Sequence, residues 1–111
     1  MMTAKENVCV DFDGVLNEYE GWKGEDELYH PKHGVREFLD RLSSKYNIII
    51  FTVRPVEKVT EWMNYHKLRY DKITNQKVPA VAYIDDRAIK FNGDYNATLH
   101  KLSRFKTWWE D

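Results

Sequence analysis

Two aspartates one residue apart, Asp11 and Asp13, follow the apolar run Val8-Cys9-Val10 and precede Gly14. A second pair of acids, Asp85-Asp86, follows the apolar run Val81–Ile84. Thr52 closes a third run, Asn47–Thr52, whose Ile48-Ile49-Ile50-Phe51 core is continuously apolar. Apolar runs of this length read as strands buried on both faces of a parallel sheet. Side chains alternate along a strand, so Asp11 and Asp13 are expected to point the same way, roughly 6.6 Å apart at Cα. Gly14 then lets the chain turn where a side chain would obstruct it. At ~4 Å and an effective dielectric of ~20, two like charges repel by about 4 kcal/mol. A positive group is therefore expected among these acids.

Those residues need elements to carry them. Val35, Phe38, Leu39 and Leu42 fall at i, i+3, i+4 and i+7, which predicts a helix over Gly34–Lys45. Pro55 suits the first turn of a second helix, Pro55–Lys67, with Val56, Val59, Trp62 and Met63 inward. Ile73 marks a short third strand, and Val81–Ile84 is a fourth. Ile89–Phe91 reads as a brief further strand before the Asn92-Gly93 turn. Asp94 or Asn96 caps a last helix carrying Leu99, Leu102, Phe105 and Trp109. Asn17–His33, with Gly21, Gly24 and Pro31, reads as a loop or short flap in which Trp22 and Tyr29 pack or touch a ligand.

Strands alternating with helices give an α/β fold, a mostly parallel sheet with right-handed crossovers in a Rossmann-like three-layer arrangement. Ligands in such sheets lie beyond the carboxyl ends of the strands. Asp11, Asp13, Thr52, Asp85 and Asp86 all fall there. Carboxylates are hard oxygen ligands, and Mg²⁺ is the ion expected among them. His30, His33, His66 and His100 are scattered and Cys9 is alone, so no zinc spacing competes. Thr52 adds a hydroxyl just ahead of a helix N-terminus, where backbone amides favour anions. Lys77 precedes the strand that delivers Asp85 and is the chosen balancing cation, with Lys72 its rival.

The 111 residues suffice for a single domain with one core. A net charge of -1 gives no basic field for general nucleic-acid affinity. The single cysteine excludes an internal disulfide and suits a reducing, cytoplasmic compartment, with packing as its expected role. Met1–Asn7 is polar, so no signal peptide is expected, and no segment approaches the ~20 apolar residues of a membrane span.

In this order the residues resemble the four motifs of the haloacid dehalogenase superfamily of phosphohydrolases. Asp11-Phe12-Asp13-Gly14-Val15-Leu16 resembles the first motif, and Ile49-Ile50-Phe51-Thr52 the second. Lys77 resembles the third, and Ala82-Tyr83-Ile84-Asp85-Asp86 the fourth. The receiver fold of response regulators joins similar groups in a different order, and no Gly-rich phosphate loop ending in Gly-Lys-Ser/Thr is present.

The resemblance implies a Mg²⁺-dependent phosphatase with Asp11 as nucleophile and Asp13 as general acid and base. It implies metal ligands from Asp11, Asp85 and the Asp13 backbone carbonyl, with Asp86 ligating through water or orienting the shell. Phosphoryl oxygens would meet Thr52, Lys77 and the amides of Phe12 and Val53. Arg54 and Arg87 stand beside motif residues, placed for substrate contact or for a structural salt bridge, the latter favoured. Many relatives carry a cap domain, and here the gaps hold none. That implies a small capless type, taking a large substrate such as a polymer end or closed by a neighbouring subunit of a homo-oligomer. Trp108 and Trp109 are assigned to helix packing ahead of an interface. A regulatory module without turnover is the alternative to a phosphatase. Among substrates, a small phosphorylated molecule competes with a nucleic-acid 3′-phosphate end.

Overall fold

The computed structural model describes residues 4–110, so residues 1–3 of the polar lead-in and residue 111 lie outside it. The elements run β1 (Glu6–Asp11), α1 (Val35–Ser43), β2 (Tyr46–Phe51), α2 (Val56–Tyr65), β3 (Lys72–Thr74), β4 (Ala82–Ile84) and α3 (Tyr95–Ser103). The four strands form one all-parallel sheet in the order β3-β2-β1-β4. The chain is thus α/β.

Val8 and Val10 of β1 and Ile48 and Ile50 of β2 point to one face, where they meet Val35 and Leu39 of α1 and Val59, Trp62 and Met63 of α2. Phe12 and Leu16, just beyond β1, complete that cluster and are fully buried. Burying each such side chain stabilises by about 1.5–3 kcal/mol. Both helices therefore lie on one side of the sheet, as two successive right-handed crossovers in the same direction require. The intervening residues Cys9 and Ile49 are buried on the other side.

Three expectations are corrected, first the three-layer arrangement: α1 and α2 share one side of the sheet and no described helix covers the other. Ile89–Phe91 is irregular rather than a strand, and Phe91 is half exposed. The last helix is capped by Asp94, whose carboxylate accepts the Ala97 amide at 3.1 Å. It ends at Ser103, so Phe105 and Trp109 lie beyond it and do not share its periodicity. Its own Leu99 and Leu102 are exposed, and α3 packs on no other helix or strand among the described residues. No described helix is long and apolar enough to cross a membrane.

Candidate active site

Strand register builds the site. Val10 of β1 pairs with Ile50 and with Ile84, so Asp11 is level with Phe51 on one side and Asp85 comes level on the other. Phe51 in turn pairs with Thr74. Parallel pairing thus brings Asp11, Asp85 and Asp86 to the same C-terminal rim. Their nearest carboxylate oxygens all lie within 4.8 Å of one another. The cost is visible at Asp11, whose pKa is pushed up to about 8. Burial is the main cause, followed by the charges of Asp85, Asp86 and Asp13. Burial also raises Asp86, opposed by a hydrogen bond from Trp109.

Each of the two C-terminal acids has one oxygen committed to a neutral donor. The Arg87 amide donates to Asp85 Oδ1 at 2.8 Å, and the Trp109 indole donates to Asp86 Oδ2 at 2.5 Å. The three carboxyls also share hydrogen bonds among themselves, Asp86 with both Asp11 and Asp85. Three hard oxygen donors this close could hold a metal ion.

Asp13 does not join this trio. β1 ends at Asp11, and Asp13 lies in the turn that follows, where strand alternation no longer governs direction. Its carboxylate faces Arg54 instead. Arg54 Nε donates to both oxygens, at 2.9 and 3.1 Å, and Nη2 donates to Oδ1 at 3.0 Å. Asn17 Nδ2 adds a bond to Oδ1 at 2.9 Å. The positive group expected between Asp11 and Asp13 is thus a guanidinium on Asp13 alone, and its side chain is fully buried.

The same arginine ties down the flap. Its Nη1 donates to the Gly24 carbonyl at 3.0 Å, and Trp22 lies against its guanidinium at 4.6 Å. Asn17 is a second hub, fully buried. It accepts the Gly14 amide at 2.9 Å and donates to the Leu28 carbonyl at 2.9 Å. Tyr29 packs as expected, with its hydroxyl donating to the Gly21 carbonyl at 2.6 Å.

Thr52 is buried at the end of β2, where its Oγ1 accepts the Arg54 amide at 2.9 Å and its hydroxyl proton is left to donate. The Phe12 amide is not available to a phosphoryl oxygen, because it donates to the Phe51 carbonyl at 3.0 Å and extends the sheet ladder. Val53 stands exposed at the rim. Lys77 shares a cavity of about 410 Å³ with Asp11, Asp85, Cys9 and Phe51. Its ammonium rests 4.8 Å from the centre of the Tyr83 ring. Lys72 pairs with Ile49 inside the sheet, two residues short of the rim, and does not line that cavity. Cys9 is buried at the cavity wall, and burial with the Asp11 and Asp85 charges raises its pKa, which suits packing rather than thiol chemistry. A larger hollow along α1, lined by Phe38, Arg41 and Tyr46 among others, holds no such convergence of acids.

No family model, curated protein or solved structure matches the chain.

The sequence reading did not find Asn17. Its only sequence signal is its place three residues after Gly14, where an Asn side chain can close a turn. Nor did it place the two tryptophans. Trp108 donates to the Gly14 carbonyl at 2.6 Å and Trp109 to Asp86, so both meet the rim rather than a helix. Gly14 itself is dictated by this crowding. Its φ is 83°, and a Cβ there would lie 2.0 Å from Asp86 Oδ2.

Proposed function

We propose that the protein is a Mg²⁺-dependent phosphomonoesterase of the haloacid dehalogenase type, a capless α/β domain acting through a phosphorylated Asp11. The observation that carries this reading is the meeting of Asp11, Asp85 and Asp86 within 4.8 Å at the strand ends, with Lys77 in the same cavity. Mg²⁺ bound by these acids and the Asp13 backbone carbonyl would neutralise charge between them and the phosphoryl oxygens.

The chain's own groups do the rest. An Asp11 oxygen attacks phosphorus, a P–O(Asp11) bond forms and the ester P–O bond breaks. Asp13 first turns one carboxyl oxygen off Arg54 and takes a proton from solvent; it gives that proton to the departing alkoxide and then takes one back from the water that attacks the phosphorylated Asp11. The second attack breaks the P–O(Asp11) bond and releases phosphate. Arg54 and Asn17 hold Asp13 beside the acidic trio until that turn. Thr52 and Lys77 donate to the phosphoryl oxygens.

The substrate is a phosphorylated small molecule or polymer end. Asp85 and Lys77 are exposed, so the mouth is open on that side, and a second copy of the chain is the candidate for closing it. Phosphate release from a panel of sugar phosphates, nucleotides and 3′-phosphorylated oligonucleotides, with and without Mg²⁺, tests the reading. Release that needs Mg²⁺ and disappears in Asp11→Asn is expected. Folded protein that binds Mg²⁺ but releases phosphate from nothing would favour a regulatory module without turnover.

A further inference from the structure

Beyond α3 the chain returns to the rim it left at Asp86. Helix α3 buries nothing, so the return is not explained by helix packing. Holding backbone in one conformation costs about 1–2 kcal/mol per residue. The contacts that offset this cost for residues 107–109 fall mostly around the acidic trio. Thr107 is buried. Trp108 donates to the Gly14 carbonyl at 2.6 Å, and Lys32 lies 4.0 Å from the centre of its ring. Trp109 donates to Asp86 Oδ2 at 2.5 Å. Its ring stands edge-on to buried Tyr19 at 4.8 Å, with the Arg87 guanidinium 5.0 Å away.

Resting on the cation-site reading above, we infer that Trp109 is a positioning residue for Asp86, and that this C-terminal segment is an integral wall of the site. The choice of side chain fits the task. Indole N–H is a donor only and carries no charge. A lysine or arginine in its place would neutralise Asp86 and compete with a cation. Tryptophan instead pins one carboxylate oxygen and leaves the negative charge for the ion. Tyr19 and Arg87 both pack against the ring and favour this placement of the donor. Partners that orient a ligand in this way are worth about 10–100-fold in metal affinity.

The test uses the metal alone. Mg²⁺ is titrated into the full chain and followed by thermal shift. Tb³⁺, whose emission a nearby indole sensitises, is titrated in parallel. Trp109→Phe keeps the ring and removes the donor. Its Mg²⁺ midpoint should rise on the order of 10-fold. Its sensitised Tb³⁺ emission at saturation should fall. In an Asp86→Asn background, Trp109→Phe should change the Mg²⁺ midpoint no further. Tyr19→Leu, which frees the indole without touching Asp86, should shift the midpoint in the same direction and serves if Trp109→Phe does not fold. A folded Trp109→Phe or Tyr19→Leu protein with the wild-type midpoint overturns the role. So does a shift that persists undiminished without Asp86. Wild-type protein that gains no stability from Mg²⁺ and gives no Tb³⁺ emission overturns the cation site itself, and the role of Trp109 with it.

Discussion

Removing the charge of Asp11 should make the metal-free protein more stable, although it removes the group proposed to attack phosphorus. The native carboxyl titrates at about 8 against an ordinary 3.8, a rise of about four units. At ~1.36 kcal/mol per unit this sets a ceiling of roughly 5 kcal/mol on the cost of ionising it in the fold. Asp85 is exposed, so water and counter-ions screen part of that cost. A gain on the order of 3 kcal/mol is left for Asp11→Asn, which keeps the shape of the side chain and drops the charge. The sign follows from the raised native value. Relative to the unfolded chain, the native state binds this proton more tightly. The stability it contributes is complete below about pH 4 and is lost as pH rises through about 8. Asn has no such dependence, so the advantage of Asp11→Asn should grow from pH 5 to pH 8 and level off above. Urea unfolding in EDTA measures it. With a slope of about 1.5 kcal/mol/M, the midpoint at pH 9 should move up by roughly 2 M. Saturating Mg²⁺ should shrink or reverse the difference, because only the wild type retains all three acids. Equal midpoints at pH 9 in EDTA, or a difference independent of pH, would refute the crowding argument.

Arg54→Met leaves the Asp13 carboxylate and the Gly24 carbonyl without their buried partner. It should cost about 3–5 kcal/mol by urea unfolding and open the flap between Asn17 and His33 to limited proteolysis. Asp85→Ala should raise the Mg²⁺ midpoint in a thermal-shift titration at least ~10-fold, and an unchanged titration would move the metal elsewhere. Gly14→Ala places a methyl group on Asp86 Oδ2 at a positive φ. It should weaken Mg²⁺ binding and lower the unfolding midpoint together, which a paired titration and melt would read.

What the sequence determined by itself is the order of elements and the identity of the acids at the strand ends. Val8–Val10 and Ile48–Ile50 are too short and too apolar for anything but buried strands, whereas Ala82–Ile84, read the same way, is an edge strand with Ala82 and Tyr83 exposed. The helical stripes of Val35/Leu39 and Val59/Met63 could cover only one side of the sheet they form. Parallel strands joined by helices put their C-terminal ends at one rim, so the convergence of Asp11, Asp85 and Asp86 followed from local pattern and handedness.

The tertiary structure alone decided the partner of each acid. Asp13 lies beyond the last paired residue of β1, where period-two alternation stops. Its direction is set by a guanidinium 41 residues away, a distance that no local pattern encodes. Lys77 was separated from Lys72 by strand register rather than by composition. Trp108 and Trp109 show the limit most clearly. At helical spacing they read as the continuation of an amphipathic helix, yet α3 stops at Ser103. Their N–H groups then find acceptors 94 and 23 residues back along the chain. A hydrogen bond across such a separation depends on where the whole sheet has placed its rim, and only folding fixes that.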